Sequence, residues 1–266
     1  MMSLFSMENV SVVRDGKRIL GPLDLTVDEG ESIAIIGCNG SGKTTLSKLM
    51  KGEISPYYDE LAHSAVKIMD RDDWNIFDLK RVVVSVSSDD EDFFSGSITA
   101  GEILLTGFFG SDAIYPIHEI TDEMVSRAEE IAGSFGIEGL LDREFSTLSQ
   151  GERRAAIIAR ALMPGPKAMI LDEPTNSLDP IASEHLIDLI GRMIGQNISV
   201  IMITHRLEDI PKGIDRVIGI RDGLKVADGR KDKVLTSDSV SAIYGSPAEV
   251  RCDDGVYSLR ILPTNL

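Results

Sequence analysis

The chain has 266 residues and a formal net charge of −16, with 42% hydrophobic and 26% charged residues. This length suits one α/β domain with an insertion, or two small lobes, and can bury a substantial core. The acidic balance disfavours nucleic acid as a ligand, because phosphate contacts need a basic surface. The longest apolar runs are about five residues, far short of the roughly 20 that cross a bilayer. Without a basic-then-apolar leader, we expect a cytoplasmic protein.

The N-terminal residues predict a short antiparallel meander over residues 8–27. Val10–Val13 is rich in β-forming residues, Asp15-Gly16 is a hairpin-type turn signal, and Leu23–Val27 alternates between apolar and polar residues. An antiparallel β subdomain is therefore expected ahead of the core. Further along the chain, Arg81–Val86 reads as a second apolar strand after Ile33–Ile36.

A glycine-rich turn follows the apolar run Ile33–Ile36, which reads as a buried parallel strand because nothing in it alternates. Gly37-x4-Gly42-Lys43-Thr44 fits the phosphate-binding loop, in which backbone N–H groups and a new helix N-terminus face the phosphates. Lys43 can reach the β- and γ-phosphates, and the Thr44 hydroxyl can ligate Mg²⁺. An ordinary glycine-rich turn is a weak alternative, because strand and helix contexts are both present. The candidate nucleotide-binding residues are Gly37, Asn39, Gly40, Ser41, Gly42, Lys43, Thr44 and Thr45.

From about Asp89 the pattern becomes helical. Thr99-x-x-Glu102 and Thr121 are typical helix starts, and amphipathic stretches follow to about Phe135. We expect a helical insertion of some 75 residues between strands of an α/β core.

The strand pattern then resumes, and one strand ends in two carboxylates, Asp172 and Glu173. In phosphate-loop enzymes this position supplies an Asp near Mg²⁺ and a neighbour that polarises water. Asp172 would support the metal and Glu173 would accept the proton of the attacking water; alone, the pattern could also be a strand end reaching solvent. The predicted late elements are the strands Ala168–Leu171, Val200–Thr204 and Val217–Ile220, an Asp222-Gly223 hairpin and a polar tail.

The stretch Leu148–Glu152 is the most discriminating. Ser149-x-x-Glu152 is a capping box, so it can simply start a helix that runs to Met163. A helix N-terminus with a free Ser hydroxyl and the backbone N–H of Gly151 is also an anion receptor. Since the chain already has one phosphate site, a second receptor suggests that another copy grips phosphate from the opposite side.

With these motifs the chain resembles the ATP-binding cassette (ABC) ATPases over nearly its whole length. The resemblance implies a phosphate-loop (RecA-like) α/β core with an N-terminal antiparallel β subdomain and an inserted α-helical subdomain. The corresponding boundaries are residues 1–88 for the β subdomain and first part of the core, 89–165 for the helical subdomain, 166–235 for the second part of the core, and 236–266 for a C-terminal tail. The matching stretches are the phosphate loop Gly37–Thr45, the signature Leu148–Glu152, the acidic strand Met169–Glu173, the dimer-crossing loop Ser177-Leu178-Asp179 and a switch histidine, His205.

The resemblance implies a head-to-tail dimer that encloses two molecules of ATP, each with a bound Mg²⁺ ion. In each site Glu173 would be the catalytic base and His205 would contact the γ-phosphate of ATP held by the phosphate loop of the same copy. The other copy would supply Ser149, Gln150, Gly151 and Asp179. ATP would close this dimer and ADP would let it open.

The chain departs from the family pattern at three places. Arg14 stands where an aromatic residue usually stacks on adenine; a guanidinium can stack on a base, and an exposed strand residue is an equal alternative. The usual metal- and water-linking glutamine is missing from Val86–Asp92, where Ser88 or Glu91 is the best candidate. Asn176 stands where the crossing loop often begins with Ser.

These features favour an ATPase subunit that powers a membrane transporter, with separate permease chains and a place on the inner face of the membrane. Stand-alone molybdate-type or iron-chelate cassettes are similar, which suggests import of a metal, oxyanion or chelate. The alternative is a soluble ABC ATPase that acts as an ATP-driven switch on another complex. The missing glutamine favours this alternative, while the charge argues against nucleic-acid clients.

Overall fold

A six-stranded mixed sheet forms the centre of the computed structural model, which describes residues 2–58, 64–94, 97–196 and 198–263. Its strands are β3 (Ile33–Ile36), β5 (Val83–Ser87), β6 (Ala168–Asp172), β7 (Ser199–Thr204), β8 (Arg216–Arg221) and β9 (Leu224–Arg230). The strand order is β5-β6-β7-β3-β8-β9; the first five strands are parallel and β9 is antiparallel to β8. All four residues of β3 are fully buried, as expected for a central parallel strand.

The N-terminal sheet has the order β2-β1-β4, formed by β1 (Ser3–Arg14), β2 (Lys17–Asp28) and β4 (Ala65–Ile68). Asp15 and Gly16, both with positive φ (50° and 73°), make the predicted tight turn between β1 and β2. One buried hydrophobic cluster contains Leu25 of β2, Ile35 of β3 and Leu46 of α1 (Lys43–Met50). The predicted meander is confirmed and is longer than expected.

The helical subdomain packs on the other face of the central sheet. Its helices are α3 (Ala100–Phe109), α4 (Asp122–Phe135) and α5 (Gln150–Leu162). Thr99, Thr121 and Ser149 cap them, as predicted, by accepting backbone N–H groups with their side chains. Strand β3 lies between two hydrophobic clusters, one on each face of the central sheet. Ala34 and Ile36 face these helices, whereas Ile33 and Ile35 face the N-terminal sheet.

The expected strand over Arg81–Val86 was wrong at its start. Asn75 caps a helix, α2 (Ile76–Val82), so Arg81 is helical and β5 begins only at Val83. A helix of seven residues that runs directly into a strand leaves little periodicity to detect. Strand β4 was also not predicted.

The polar tail of the sequence is folded over its described residues. After α6 (Pro180–Met193) and the strands of the core come α7 (Lys231–Val234), α8 (Ser237–Tyr244) and a hairpin of β10 (Ala248–Asp253) and β11 (Val256–Ile261). Val240 and Ile243 of α8 are buried, and Ile243 lies against Gly219 of β8. The C-terminal residues therefore form a lobe attached to the central sheet.

Candidate active site

The phosphate loop connects β3 to α1 at the carboxyl end of the parallel strands. A Cβ on Gly37 would lie 2.2 Å from the carbonyl oxygen of Ile220 in β8, so the loop requires glycine there. The Lys43 ammonium donates hydrogen bonds to the carbonyl oxygens of Gly37 (2.8 Å) and Cys38 (3.0 Å). The hydroxyl of Ser41 is buried and has no hydrogen-bond partner among the described residues. The loop thus carries the Lys43 ammonium and the unpartnered Ser41 hydroxyl.

Asp172 is the last residue of β6, and its carboxylate lies close enough to Lys43 for the two charges to interact. Burial, followed by the neighbouring Glu173 carboxylate, raises the pKa of Asp172. Burial lowers the pKa of Lys43, although Glu173 and Asp172 oppose this shift. Partial burial therefore disfavours the charged form of both Asp172 and Lys43. A bound cation beside Asp172 and a bound anion beside Lys43 would stabilise these charged forms.

Glu173 and His205 lie side by side at the ends of neighbouring strands. His205 Nδ1 is 2.9 Å from Glu173 Oε1. The backbone of Glu173 has a positive φ of 49°, and its N–H donates to the carbonyl of Ile203 in β7 (2.8 Å). A non-glycine residue in this region of φ costs energy and is concentrated at functional sites. The structure thus brings the two predicted catalytic residues together.

The signature forms the N-terminus of α5. Ser149 and Glu152 form the predicted reciprocal capping box. A Cβ on Gly151 would lie 2.9 Å from the Cβ of Ala182 in α6, and Asp179 caps α6 by accepting from the backbone N–H groups of Ile181 and Ala182. Residues Ser149, Gly151 and Asp179 are therefore neighbours, although 28 positions separate Gly151 from Asp179.

No hydrogen bond or ion pair between described residues joins this signature end to the phosphate loop. A cavity of about 590 Å³ lies beside the signature end and is lined by Ser149, Gly151 and Ala182 together with apolar and charged residues from the end of α4, from α5 and from α6. None of the residues that line this cavity belongs to the phosphate loop, so the two candidate anion receptors of the sequence do not share a pocket.

The remaining candidates have varied surroundings. Arg14 is exposed at the end of β1, and Ser88 donates a hydrogen bond to Asp89 (3.3 Å). Glu91 has a side chain only 9% exposed, because it pairs with two arginines of α5. Asn39, Gly40 and Thr44 are exposed on the phosphate loop, while Thr45 and Gln150 are half-buried.

The structure adds residues that the sequence did not indicate. The Tyr244 hydroxyl donates to the carbonyl of His205 (2.8 Å), and the Cys38 thiol donates to the carbonyl of Tyr244 (3.4 Å). Buried Asp209 accepts a short hydrogen bond from Thr175 and a weaker one from Thr204 (3.4 Å). Tyr244 lies outside the motifs described above, and a single hydrogen bond to a residue 39 positions away leaves no local signal in the sequence.

Comparison with known proteins identifies the family to which this chain belongs. A family model described as ABC transporter matches residues 20–176, which is more than half of the chain. The chain belongs to the ABC transporter family. It is an ABC ATPase, a protein that binds and hydrolyses ATP, and the resemblance drawn from its motifs is confirmed.

The relatives and solved structures agree with this assignment. An ABC transporter ATP-binding protein of Streptococcus mutans is 32% identical over 251 residues, covering 94% of this chain and 95% of the relative. The energy-coupling factor transporter ATP-binding protein EcfA1 of Bacillus licheniformis is 32% identical over 210 residues, covering 79% of this chain and 71% of the relative. The solved ADP conformation of MJ1267, an ATP-binding cassette of an ABC transporter, has a TM-score of 0.79 at 25% identity, covering 91% of this chain and 98% of that one.

Proposed function

We propose that two copies of this ABC ATPase close head-to-tail around two ATP–Mg²⁺ and thereby drive a membrane transporter. The observation that carries the proposal is the separation of two complementary surfaces on one chain. The phosphate loop offers Lys43 and the partnerless Ser41 hydroxyl, and the signature end offers Ser149 with the exposed N-terminus of α5. Phosphate charge held between two such receptors would join the copies, and hydrolysis would release them.

The residues of the phosphate loop fit ATP and Mg²⁺. Thr44 and Asp172 would hold the ion, which when bound would neutralise the phosphate charges. Among the described residues, no group of three or more His, Cys, Asp or Glu side chains is placed to hold a metal by itself. This suits Mg²⁺, which is usually bound by one or two carboxylates together with phosphates and water.

The pair of Glu173 and His205 supplies the proton chemistry. Glu173 would take a proton from the attacking water, a role typically worth about 10²- to 10⁴-fold in rate. His205 orients the carboxylate through the 2.9 Å contact and would face the γ-phosphate when the dimer closes. Asp179 and Ser149 of the second copy would complete each site.

The transport role needs a separate membrane partner. No helix in the described parts of the chain is long and apolar enough to cross a membrane. The B. licheniformis relative is named as an energy-coupling factor transporter subunit. By analogy we infer a permease that seats this ATPase on the inner face of the membrane and selects the cargo, a metal, oxyanion or chelate taken up into the cell.

The test is an affinity pull-down of Glu173→Gln from native membranes and cytosol in ATP and Mg²⁺. This variant should hold ATP without turnover, so the closed dimer and its partners persist. Lys43→Ala, which should lose nucleotide, is the matched control. Recovery of a multi-span membrane protein with Glu173→Gln and its loss with Lys43→Ala would support the transporter. Recovery of soluble proteins alone would contradict it and favour a soluble ATP-driven switch.

A further inference from the structure

Arg154 is a buried cation one turn into α5. It is only 1% exposed, although arginine is among the residues least often buried. Its Nε atom lies 2.6 Å from Oε1 of Glu91, and its Nη1 atom donates to the carbonyl oxygen of Pro174 at 2.8 Å. A charge withdrawn from water in this way destabilises the fold unless it is paired and hydrogen-bonded, so these contacts fix the guanidinium in place.

The partners of this guanidinium belong to different parts of the fold. Arg154 shares its helix with Ser149 of the signature. Glu91 lies in the short 3₁₀ helix Ser88–Phe93, which continues β5 towards the helical subdomain. Pro174 directly follows Glu173 at the end of β6. One planar side chain thus connects the signature helix, the link between subdomains and the turn that carries the catalytic carboxylate.

We propose that Arg154 is a positioning residue that couples the signature end of α5 to the Glu173 turn of the same chain, with Glu91 as its fixed counter-ion. The proposal rests on the ATP-sandwich dimer proposed above. In that dimer, Ser149 contacts the ATP of one site while Glu173 of the same chain serves the other site. A movement of α5 on engaging ATP at the first site therefore shifts the Pro174 carbonyl beside Glu173 at the second. The two sites become cooperative.

This coupling also gives Glu91 a role different from the expected one. Its Oε1 atom is occupied by Arg154, and Arg153 Nε lies 3.6 Å from its Oε2 atom. A carboxylate held by two cations is a poor additional ligand for Mg²⁺, because its charge is already neutralised. In this proposal Glu91 anchors the arginine, and its role as a metal contact in place of the missing glutamine stays a prediction.

The test compares Arg154→Lys with Arg153→Lys by steady-state ATPase kinetics. Lysine keeps the charge at position 154 but lacks the planar fork, so it cannot hold Glu91 and the Pro174 carbonyl together. We expect kcat to fall about tenfold and the Hill coefficient for ATP to drop towards the non-cooperative value, while the affinity for a single ATP stays unchanged. Arg153 has a third of its side chain exposed and a longer contact to Glu91, so Arg153→Lys should change neither quantity by more than about twofold.

A second variant guards against a simple loss of folding. Replacing the pair together, as Arg154→Met with Glu91→Leu, removes both charges, and such apolar replacements are often neutral or stabilising. Thermal unfolding of this variant should stay near that of the wild type while cooperativity is lost. If either variant retains the cooperativity of the wild type, the coupling is overturned.

The dimer and the coupling can fail separately. A wild-type protein that hydrolyses ATP without cooperativity, and whose Glu173→Gln variant stays monomeric in ATP, would overturn the sandwich dimer and with it the coupling. A cooperative wild type with a normal Glu173→Gln dimer, and an unchanged Hill coefficient in Arg154→Lys, would overturn the coupling alone.

Discussion

The hydroxyl of Tyr244 donates a 2.8 Å hydrogen bond to the backbone carbonyl of His205. Tyr244 ends α8, so the C-terminal lobe holds the segment that carries the switch histidine. The carbonyl of Tyr244 also accepts from the Cys38 thiol of the phosphate loop at 3.4 Å. Tyr244, which lies outside the motifs, therefore forms hydrogen bonds with both the His205 segment and the phosphate loop. Burial raises the pKa of Tyr244, so the hydroxyl stays protonated and remains a donor at neutral pH.

Tyr244→Phe removes only this donor. A hydrogen bond contributes about 1 kcal/mol, so misplacement of His205 should lower kcat about fivefold with little change in KM. Tyr257→Phe, on the C-terminal hairpin, is the control and should keep wild-type kinetics. Steady-state ATPase assays measure both, and an unchanged kcat in Tyr244→Phe would show that the lobe does not position His205.

Lys43→Ala should lose nucleotide affinity, because the ammonium is held in the phosphate loop by two carbonyl oxygens. Hydrogen bonds to charged groups contribute about 1.5–3 kcal/mol, which predicts about ten- to hundredfold weaker ATP binding by calorimetry. Lys48→Ala, an exposed lysine of the same helix, is the control and should bind normally. Normal hydrolysis by Lys43→Ala would refute the assignment of the phosphate loop.

Glu173→Gln should bind ATP yet hydrolyse it at least about a hundredfold more slowly, because the amide cannot take a proton from water. The trapped nucleotide should shift the protein to a dimer in size-exclusion chromatography with light scattering. Magnesium with ADP should leave it monomeric. A persistent monomer in ATP and Mg²⁺ would count against the sandwich.

Gly151→Ala should destabilise the contact between α5 and α6, because the new Cβ would lie 2.9 Å from that of Ala182. Overpacking costs about 1–3 kcal/mol, and about 2–4 °C of Tm is lost per kcal/mol in a domain of this size. Ala182→Gly in the same chain should restore both Tm and ATPase activity. A double variant that regains stability but not activity would show that the added methyl group obstructs the ligand.

Asp172→Asn should raise the Tm of the protein without nucleotide at pH 7, because ionisation of the buried carboxyl destabilises the folded state. The pKa of Asp172 is raised above its ordinary value of 3.8, so the ionised carboxylate destabilises the fold above that pH. The gain should shrink as the pH falls through the raised pKa of the folded state, and it should vanish below 3.8, where Asp172 is protonated in both the folded and the unfolded protein. Differential scanning fluorimetry across pH, with exposed Asp253→Asn as control, measures it. A gain independent of pH would contradict this origin, and ATP with Mg²⁺ should stabilise Asp172→Asn less than the wild type.

The sequence by itself determined the elements whose signals are local. Ile33–Ile36 with Gly37-x4-Gly42-Lys43-Thr44 predicted the phosphate loop, and the capping boxes at Thr99 and Ser149 predicted the starts of their helices. Each signal lies within a few residues of the backbone that it shapes, because a capping side chain reaches only the first turn of its own helix.

Only the tertiary structure decided which distant residues meet. Tyr244 and His205 are 39 positions apart, and Arg154 and Glu91 are 63 positions apart. Single side-chain contacts of this kind leave no periodic pattern in the sequence, since they depend on how α8 docks on the sheet and how α5 crosses the end of β5. The sequence predicted the phosphate loop and the signature separately. Their presence on two separate surfaces of one chain follows from the packing of the helical subdomain on the sheet.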